Sequence, residues 1–275
     1  MSATNASAGV ALVDTNVHLF EWPFRRLPYD RTAALVAKLR RHGVQQAWAG
    51  SFEALLSKDL SGVNERLAEA CRRDGAGLLV PVGSVNPLWP DWEEELRRCD
   101  EGHHMRGIRL HPGYHGYTLD HAEFGRLLEL ATRRRLVVQL ALELEDTRVQ
   151  HPLIKAPVVS PAPLVAALKN IPGAKIQLLN SWQWVRTAAA KPLLQMENVV
   201  HDISNLEASG AVGRIIAGQH PLLSAKMPVE RLLFGSQAPY FPVEAALIKL
   251  FESPLSLPQL NAIMGDNARR LIAKT

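Results

Sequence analysis

The chain has 275 residues, of which 47% are hydrophobic and 21% charged, with a formal net charge of +4. That length suits one α/β barrel as well as two smaller domains, and the balance is that of a folded protein with a large core, not of a disordered one. The mild positive charge excludes a strongly basic nucleic-acid-binding surface, and no apolar run approaches the roughly 20 residues a membrane helix requires.

Residues 1–9 are small and polar and read as a flexible tail, with neither the basic nor the apolar region of a signal peptide. From residue 10 onward, short Val-, Leu- and Ile-rich runs alternate with amphipathic stretches. The runs are 10–13, 45–49, 78–82, 107–110, 136–142, 175–179, 199–203 and 231–234. Most are bounded by Gly, Pro or Asn, as fully buried parallel strands are. Helices are expected at 31–41, 62–73, 91–98, 124–135, 163–170, 206–217, 243–252 and 257–273. The spacing predicts Asp30 as the cap of the first, and Asp120 with Glu123 as a capping box for the fourth. Arg133, Arg134 and Arg135 close that fourth helix, where cations suit the helix dipole, and no aromatic residues alternate with basic ones as in a single-strand-binding surface. Cys71 and Cys99 are isolated in helical patterns and read as reduced thiols of a cytoplasmic protein. The longest irregular stretch, 145–162, contains Pro152, Pro157 and Pro161 and follows the fifth strand. Eight strand–helix units predict an α/β fold: a single (β/α)8 TIM barrel over residues 10–275, with a doubly wound open sheet as the alternative.

The first strand reads Val13-Asp14-Thr15-Asn16-Val17-His18, and alternation puts Asp14, Asn16 and His18 on one face. This resembles the Asp-x-His-x-His opening of the amidohydrolase family, in its amidohydrolase-2 branch, with Asn16 in place of the first histidine. Val85-Asn86-Pro87, Gly107-Ile108-Arg109-Leu110-His111-Pro112, Asn198-Val199-Val200-His201-Asp202-Ile203-Ser204, Arg231-Leu232-Leu233-Phe234-Gly235-Ser236-Gln237-Ala238-Pro239 and Asp266-Asn267-Ala268-Arg269-Arg270-Leu271 resemble later segments of that family in the correct order. The resemblance implies metal-assisted hydrolysis, or decarboxylation, hydration or lactone cleavage. It also implies histidine ligands on strands one, five and six and an aspartate ending strand eight. Those positions read Asn16, His18, either Gln139 or Ala141, Asn180 and Gln237.

Zinc sites are built from imidazoles, thiolates and carboxylates, and neutral amides suit hard cations better. Zinc or another divalent metal is the family default, but this ligand set predicts none, and without a metal a bound water is no nucleophile at neutral pH. Asn16, Asn180 and Gln237 read as an amide network filling the old metal cavity, since buried amides need partners. Arg109 reads either as a bidentate carboxylate clamp or as a structural ion-pair partner of Asp202 or Glu143. His18, His111 and His151 are the candidate proton carriers; His151 and Asp146 on the long loop read as an acid–base pair or part of a solvated ion-pair network. Tyr114, Trp182 and Asp202 join Asn16, Arg109, Asn180 and Gln237 as candidate substrate contacts. Trp22-Pro23-Phe24-Arg25-Arg26 reads as a lid or a subunit contact, and an even-numbered homo-oligomer is the default for a barrel. Three functions stay open: a metal-independent hydrolase of a small carboxylated or lactone metabolite, a non-catalytic barrel binding a small ligand or protein partner, and a rearranged metal site.

Overall fold

The computed structural model describes residues 11–146, 148–153, 156–221, 223 and 226–273. The expected tail at 1–9 lies outside them. Eight parallel strands form: β1 (Leu12–Leu19), β2 (Val44–Ser51), β3 (Leu79–Pro81), β4 (Gly107–Leu110), β5 (Val137–Ala141), β6 (Lys175–Leu179), β7 (Val199–Asp202) and β8 (Leu232–Leu233). They pair as β1-β2-β3 and β4-β5-β6-β7-β8. Two bridges join the sheets, Gly83 to Ile108 and Val17 to Ala238. His18 N donates to Ala238 O at 2.8 Å and Arg109 N to Gly83 O at 2.6 Å across the same seams. The strands thus close into the TIM barrel that the alternation of apolar runs predicts.

Every predicted strand forms, and most helices follow the expected spacing. The first helix, Thr32–Arg41, starts at Arg31 with no side-chain cap, because Asp30 instead accepts from Arg26 Nε at 2.7 Å. His121, not Asp120, caps the helix Ala122–Arg133, its Nδ1 accepting from Glu123 N at 3.2 Å; Asp120 is held by Thr118. The helix expected at 206–217 is only Ala211–Ala217, because Gly210 stands ahead of it at a left-handed φ of 63°. The last helix is interrupted by a wide turn, Ala262–Asp266, between Leu257–Asn261 and Asn267–Ile272.

The barrel interior is layered. Val13, Trp48, Val200 and Leu233 pack with Ala268 and Leu271 of the last helix into an apolar plug. Above them runs a polar layer in register, Arg109 opposite Gln139 and Gln139 opposite Gln177. Gln139 Nε2 donates to Gln177 Oε1 at 2.8 Å, and Gln177 Nε2 to Thr15 Oγ1 at 2.8 Å. Strict alternation would turn Thr15 away from Asn16. Instead, β1 carries a register irregularity between Asp14 and Val17, and the extra residue of a bulge lets Thr15 and Asn16 both reach interior partners. A second apolar cluster closes the C-terminal mouth: Trp22, Leu27, Phe52, Leu55, Ala141, Leu144 and Leu179, with Phe24, Tyr114 and Tyr240 against it. The predicted lid segment therefore packs over the barrel top.

Candidate functional site

His18 lies wholly buried beneath that cap, its ring stacked on Phe52 with centroids 4.4 Å apart and planes 4° from parallel. Its Nε2 is 2.9 Å from Arg109 Nη1. A guanidinium has no acceptor, so His18 Nε2 accepts and the ring is neutral, with its proton on Nδ1. Burial first, then the charge of Arg109, holds the imidazole well below its ordinary pKa. Arg109 reaches across the interior from β4. Its Nε donates to Gln139 Oε1 at 2.8 Å, Nη1 to Val17 O at 2.8 Å and Nη2 to Trp48 O at 3.3 Å. It pairs directly with neither Asp202 nor Glu143, and all three of its nitrogens already donate within the chain. Burial lowers its pKa to about 9, against the raising influence of Asp202 and Asp14, so it is charged at neutral pH. Gly50 makes the space: a Cβ there would stand 2.7 Å from Arg109 Nη1.

Asn16, Asn180 and Asp202 meet on the other side of the interior. Asn16 Nδ2 donates to Asp202 Oδ2 at 2.6 Å and to Asn180 Oδ1 at 3.3 Å; Ser204 Oγ bonds both Asn180 Oδ1 and Asp202 Oδ2. The network is not the neutral amide set expected, because a buried carboxylate stands at its centre, raised in pKa by desolvation. Gln237 joins through its backbone, N to Asn16 O at 2.7 Å, while its side-chain Nε2 turns to Leu144 O at 2.6 Å.

The two strand-five possibilities separate by depth. Gln139 belongs to the lower polar layer, and Ala141, at the strand's end, contributes a methyl group to the apolar cap. The metal-ligand positions therefore hold an amide committed to Asp202, an imidazole accepting from a cation, a methyl group, and two further amides. Among the described residues no three His, Cys, Asp or Glu side chains converge to hold a metal ion. This donor set does not fit a divalent transition metal: it lacks basic donors, and its one imidazole lone pair points at a guanidinium.

The remaining candidates scatter. His111 is wholly buried against His115 at 5.7 Å, with neither ring nitrogen partnered; burial holds it neutral. His18 Nδ1, Trp22 Nε1 and Asn16 Oδ1 are likewise buried without partners among the described residues. His151 is exposed and stacks on Phe24 at 5.8 Å, and Asp146 pairs with Arg148 at 2.5 Å, so the expected His151–Asp146 pair does not form. Tyr114 Oη reaches Glu145 at 3.5 Å.

The open space lies beside the capped centre, over the ends of β5 to β8. It is a cavity of about 460 Å³, with Asn180, Trp182 and Gln237 in its wall alongside Glu143, Glu145, Arg186 and Arg214. Trp182 is anchored by Nε1 donating to Asp202 O at 2.7 Å. Arg186 and Arg214 are exposed and make no side-chain hydrogen bond or ion pair among the described residues. Neither was singled out from sequence. The usable signal was their position in the segments that follow strands six and seven, on the face where a barrel gathers its functional loops.

Comparison with known proteins agrees with this fold. No curated protein matches the chain. Among solved structures, 2,6-dihydroxybenzoate decarboxylase from Rhizobium is similar at 15% identity with a TM-score of 0.72, covering 96% of this chain and 98% of that one. 5-Carboxyvanillate decarboxylase from Sphingomonas paucimobilis is similar at 12% identity and a TM-score of 0.69, covering 97% and 100%. A dihydroxybenzoic acid decarboxylase from Polaromonas sp. JS666, solved with manganese and 2-nitroresorcinol, is similar at 13% identity and a TM-score of 0.72, covering 96% and 97%. At such identities the likeness is one of fold. Residues 13–273 match the sequence profile described as amidohydrolase, and with nearly the whole chain inside that match, the protein belongs to the amidohydrolase family, in its amidohydrolase-2 branch.

Proposed function

We propose that this barrel binds a small carboxylated molecule in the cavity over β5 to β8, that it does so without a divalent metal, and that it acts in the cytoplasm as a binding protein. The observation that carries this reading is the cavity itself: two exposed guanidinium groups that make no hydrogen bond or ion pair among the described residues, Arg186 and Arg214, beside the apolar surface of Trp182 and Phe241. Guanidinium groups match carboxylates in geometry, and ring faces bury the apolar remainder. The carboxylated aromatic substrates named for the structural neighbours are consistent with that class. Binding is favoured over catalysis because His18 and His111 are sealed beneath the cap, away from the cavity, and the strand-eight position for a general base holds Gln237. The buried free thiols Cys71 and Cys99 suit a reducing compartment.

The test is calorimetric titration with 3-phenylpropionate and with its uncharged amide. The acid should bind more tightly than the amide, and Arg186→Ala with Arg214→Ala should weaken it about ten-fold or more. Equal binding of acid and amide, or no effect of the two substitutions, would refute the reading. A second reading, metal-independent hydrolysis of a lactone or activated ester, is favoured by the unpartnered nitrogens of His18 and His111, which an opened cap would present to substrate. Turnover in the presence of chelator that disappears with His18→Ala would put it in first place.

A further inference from the structure

Charged groups of both signs line the cavity, with Arg148 beside the acidic residues after β5 and Glu207 beside the arginines after β6 and β7. Glu143 and Glu145, from the segment after β5, face the same space as Arg186 and Arg214, from the segments after β6 and β7. Glu143 accepts from Gln183 Nε2 and from Trp184 Nε1, both neutral donors, the latter at 3.1 Å. Glu145 is only 6% exposed; Tyr114 Oη reaches it at 3.5 Å, Tyr240 bonds it as well, and the charges of Arg25 and His151 act on it from farther off. Neither carboxylate forms an ion pair among the described residues, whereas their neighbour Asp146 is already matched by Arg148. Desolvation raises both carboxyl groups above the ordinary glutamate value; for Glu143 no cation opposes it, and for Glu145 the hydroxyls of Tyr114 and Tyr240 and the charges of Arg25 and His151 offset it only in part.

Two neutral acceptors in the same wall are also unanswered. Gln237 is 1% exposed, and while its Nε2 donates to Leu144 O, its Oε1 accepts nothing from the described residues. Asn205 Nδ2 donates to Asn180 O at 3.1 Å, leaving Oδ1 buried without a partner. Exchanging O and N in that amide would lose the bond it makes, so the orientation is fixed by its neighbour. A buried acceptor without a donor is uncommon in a folded protein, and here Asn205 Oδ1 shares one space with Gln237 Oε1 and the partly desolvated carboxylates.

An alkylammonium group brings three donors and no acceptor, together with a positive charge at ion-pair distance, which neither glutamate has among the described residues. Resting on the carboxylate-binding reading above, we propose that the ligand carries an ammonium group as well: a small zwitterion of the α-amino acid type with an apolar side chain. Glu145, Gln237 Oε1 and Asn205 Oδ1 receive the ammonium, Arg186 and Arg214 receive the carboxylate, and the apolar side chain lies against Trp182 and Phe241.

The experiment is titration of the full chain with L-phenylalanine and with 3-phenylpropionate, which lacks only the amino group. Phenylalanine should bind about ten-fold more tightly or better, the usual size of a charge-assisted hydrogen bond to a buried acceptor. Glu145→Gln and Gln237→Leu should each shrink that ratio while leaving 3-phenylpropionate binding within about two-fold, on the scale of the thermodynamics of one altered contact. Thermal melts of both variants identify any that is misfolded, and the other then carries the test. If the two ligands bind equally to the native protein, or if the ratio survives in a folded variant, the zwitterion assignment fails while the carboxylate reading stands. If neither ligand binds, both fall.

Discussion

Gly50 packs tightly against Arg109 in the barrel interior, and this makes a sharp prediction. A Cβ built at Gly50 lies 2.7 Å from Arg109 Nη1 and 2.9 Å from both Cδ and Cζ, closer than non-bonded atoms tolerate. Gly50→Ala must push the guanidinium away from Val17 O, Trp48 O and His18. Overpacking a tight interior costs about 1–3 kcal/mol. Weakening one hydrogen bond to a charged donor adds about 1.5–3 kcal/mol. The expected loss is therefore about 2.5–6 kcal/mol. Arg109→Ala removes the obstacle together with the cation, so adding Gly50→Ala to it should cost almost nothing, because the new methyl group enters vacated space. Urea unfolding followed by tryptophan fluorescence of the two single variants and the double variant gives the coupling directly. A Gly50→Ala change that is harmless alone, or equally costly with and without Arg109, would refute this account of how the arginine is housed.

Other predictions concern the buried carboxylates, the cap and the cavity. Asp14 is held by Ser236 and by the backbone of Asn16, yet burial, the largest influence, raises it to about 7. A carboxyl raised in the folded state contributes stability at pH below about 4, and that contribution is lost as pH rises toward 7. Asp14→Asn should therefore gain on the native protein across that window, by up to about 3–4 kcal/mol, in denaturant melts at several pH values. A difference between the two proteins that does not change with pH would contradict it. Trp22→Ala should cost about 3–5 kcal/mol and unseal the mouth; His18 should then exchange its Nδ1 proton with solvent faster by NMR, and unchanged exchange would show that the cap is not what seals it. In the cavity, Gln237→Asp restores a carboxylate but not the missing imidazoles, so it should leave the protein without added zinc affinity in calorimetry.

The sequence made the barrel legible because parallel strands buried on both faces read as continuous apolar runs, and those runs fell where β1 to β8 are. The substituted ligand positions were legible for a different reason: residue type alone says whether a donor is basic. What could not be read was direction and depth. Gln139 and Ala141 sit two residues apart on one strand, and only closure of the barrel places one in the polar layer and the other in the cap. Arg109 resembled a substrate clamp because a buried arginine on a strand end has two uses. The choice was made by carbonyls from β1 and β2, far away in sequence. The bulge at Asp14–Val17 has no local signal in its residue types, and it is what lets Thr15 join the interior. The shifted caps at Arg31 and His121 show competition among neighbours, since Asp30 and Asp120 each found another partner first.

The cavity was missed because its charged residues come from separate segments, most of them loops without a periodic pattern and Arg214 from the short helix Ala211–Ala217, while the aromatic cap that displaces it from the barrel axis is assembled from residues as far apart as Trp22, Phe52 and Tyr240. On the reading proposed above, this is a family barrel whose inherited centre is filled by its own side chains and whose ligand sits in the cavity beside it.

The most direct measurement is equilibrium dialysis of the purified full chain against zinc and against manganese, followed by elemental analysis and by the melting temperature with and without chelator. The account predicts substoichiometric metal and a melting temperature that chelator leaves unchanged. One ion per chain, lost together with stability on chelation and abolished by His18→Ala, would contradict it.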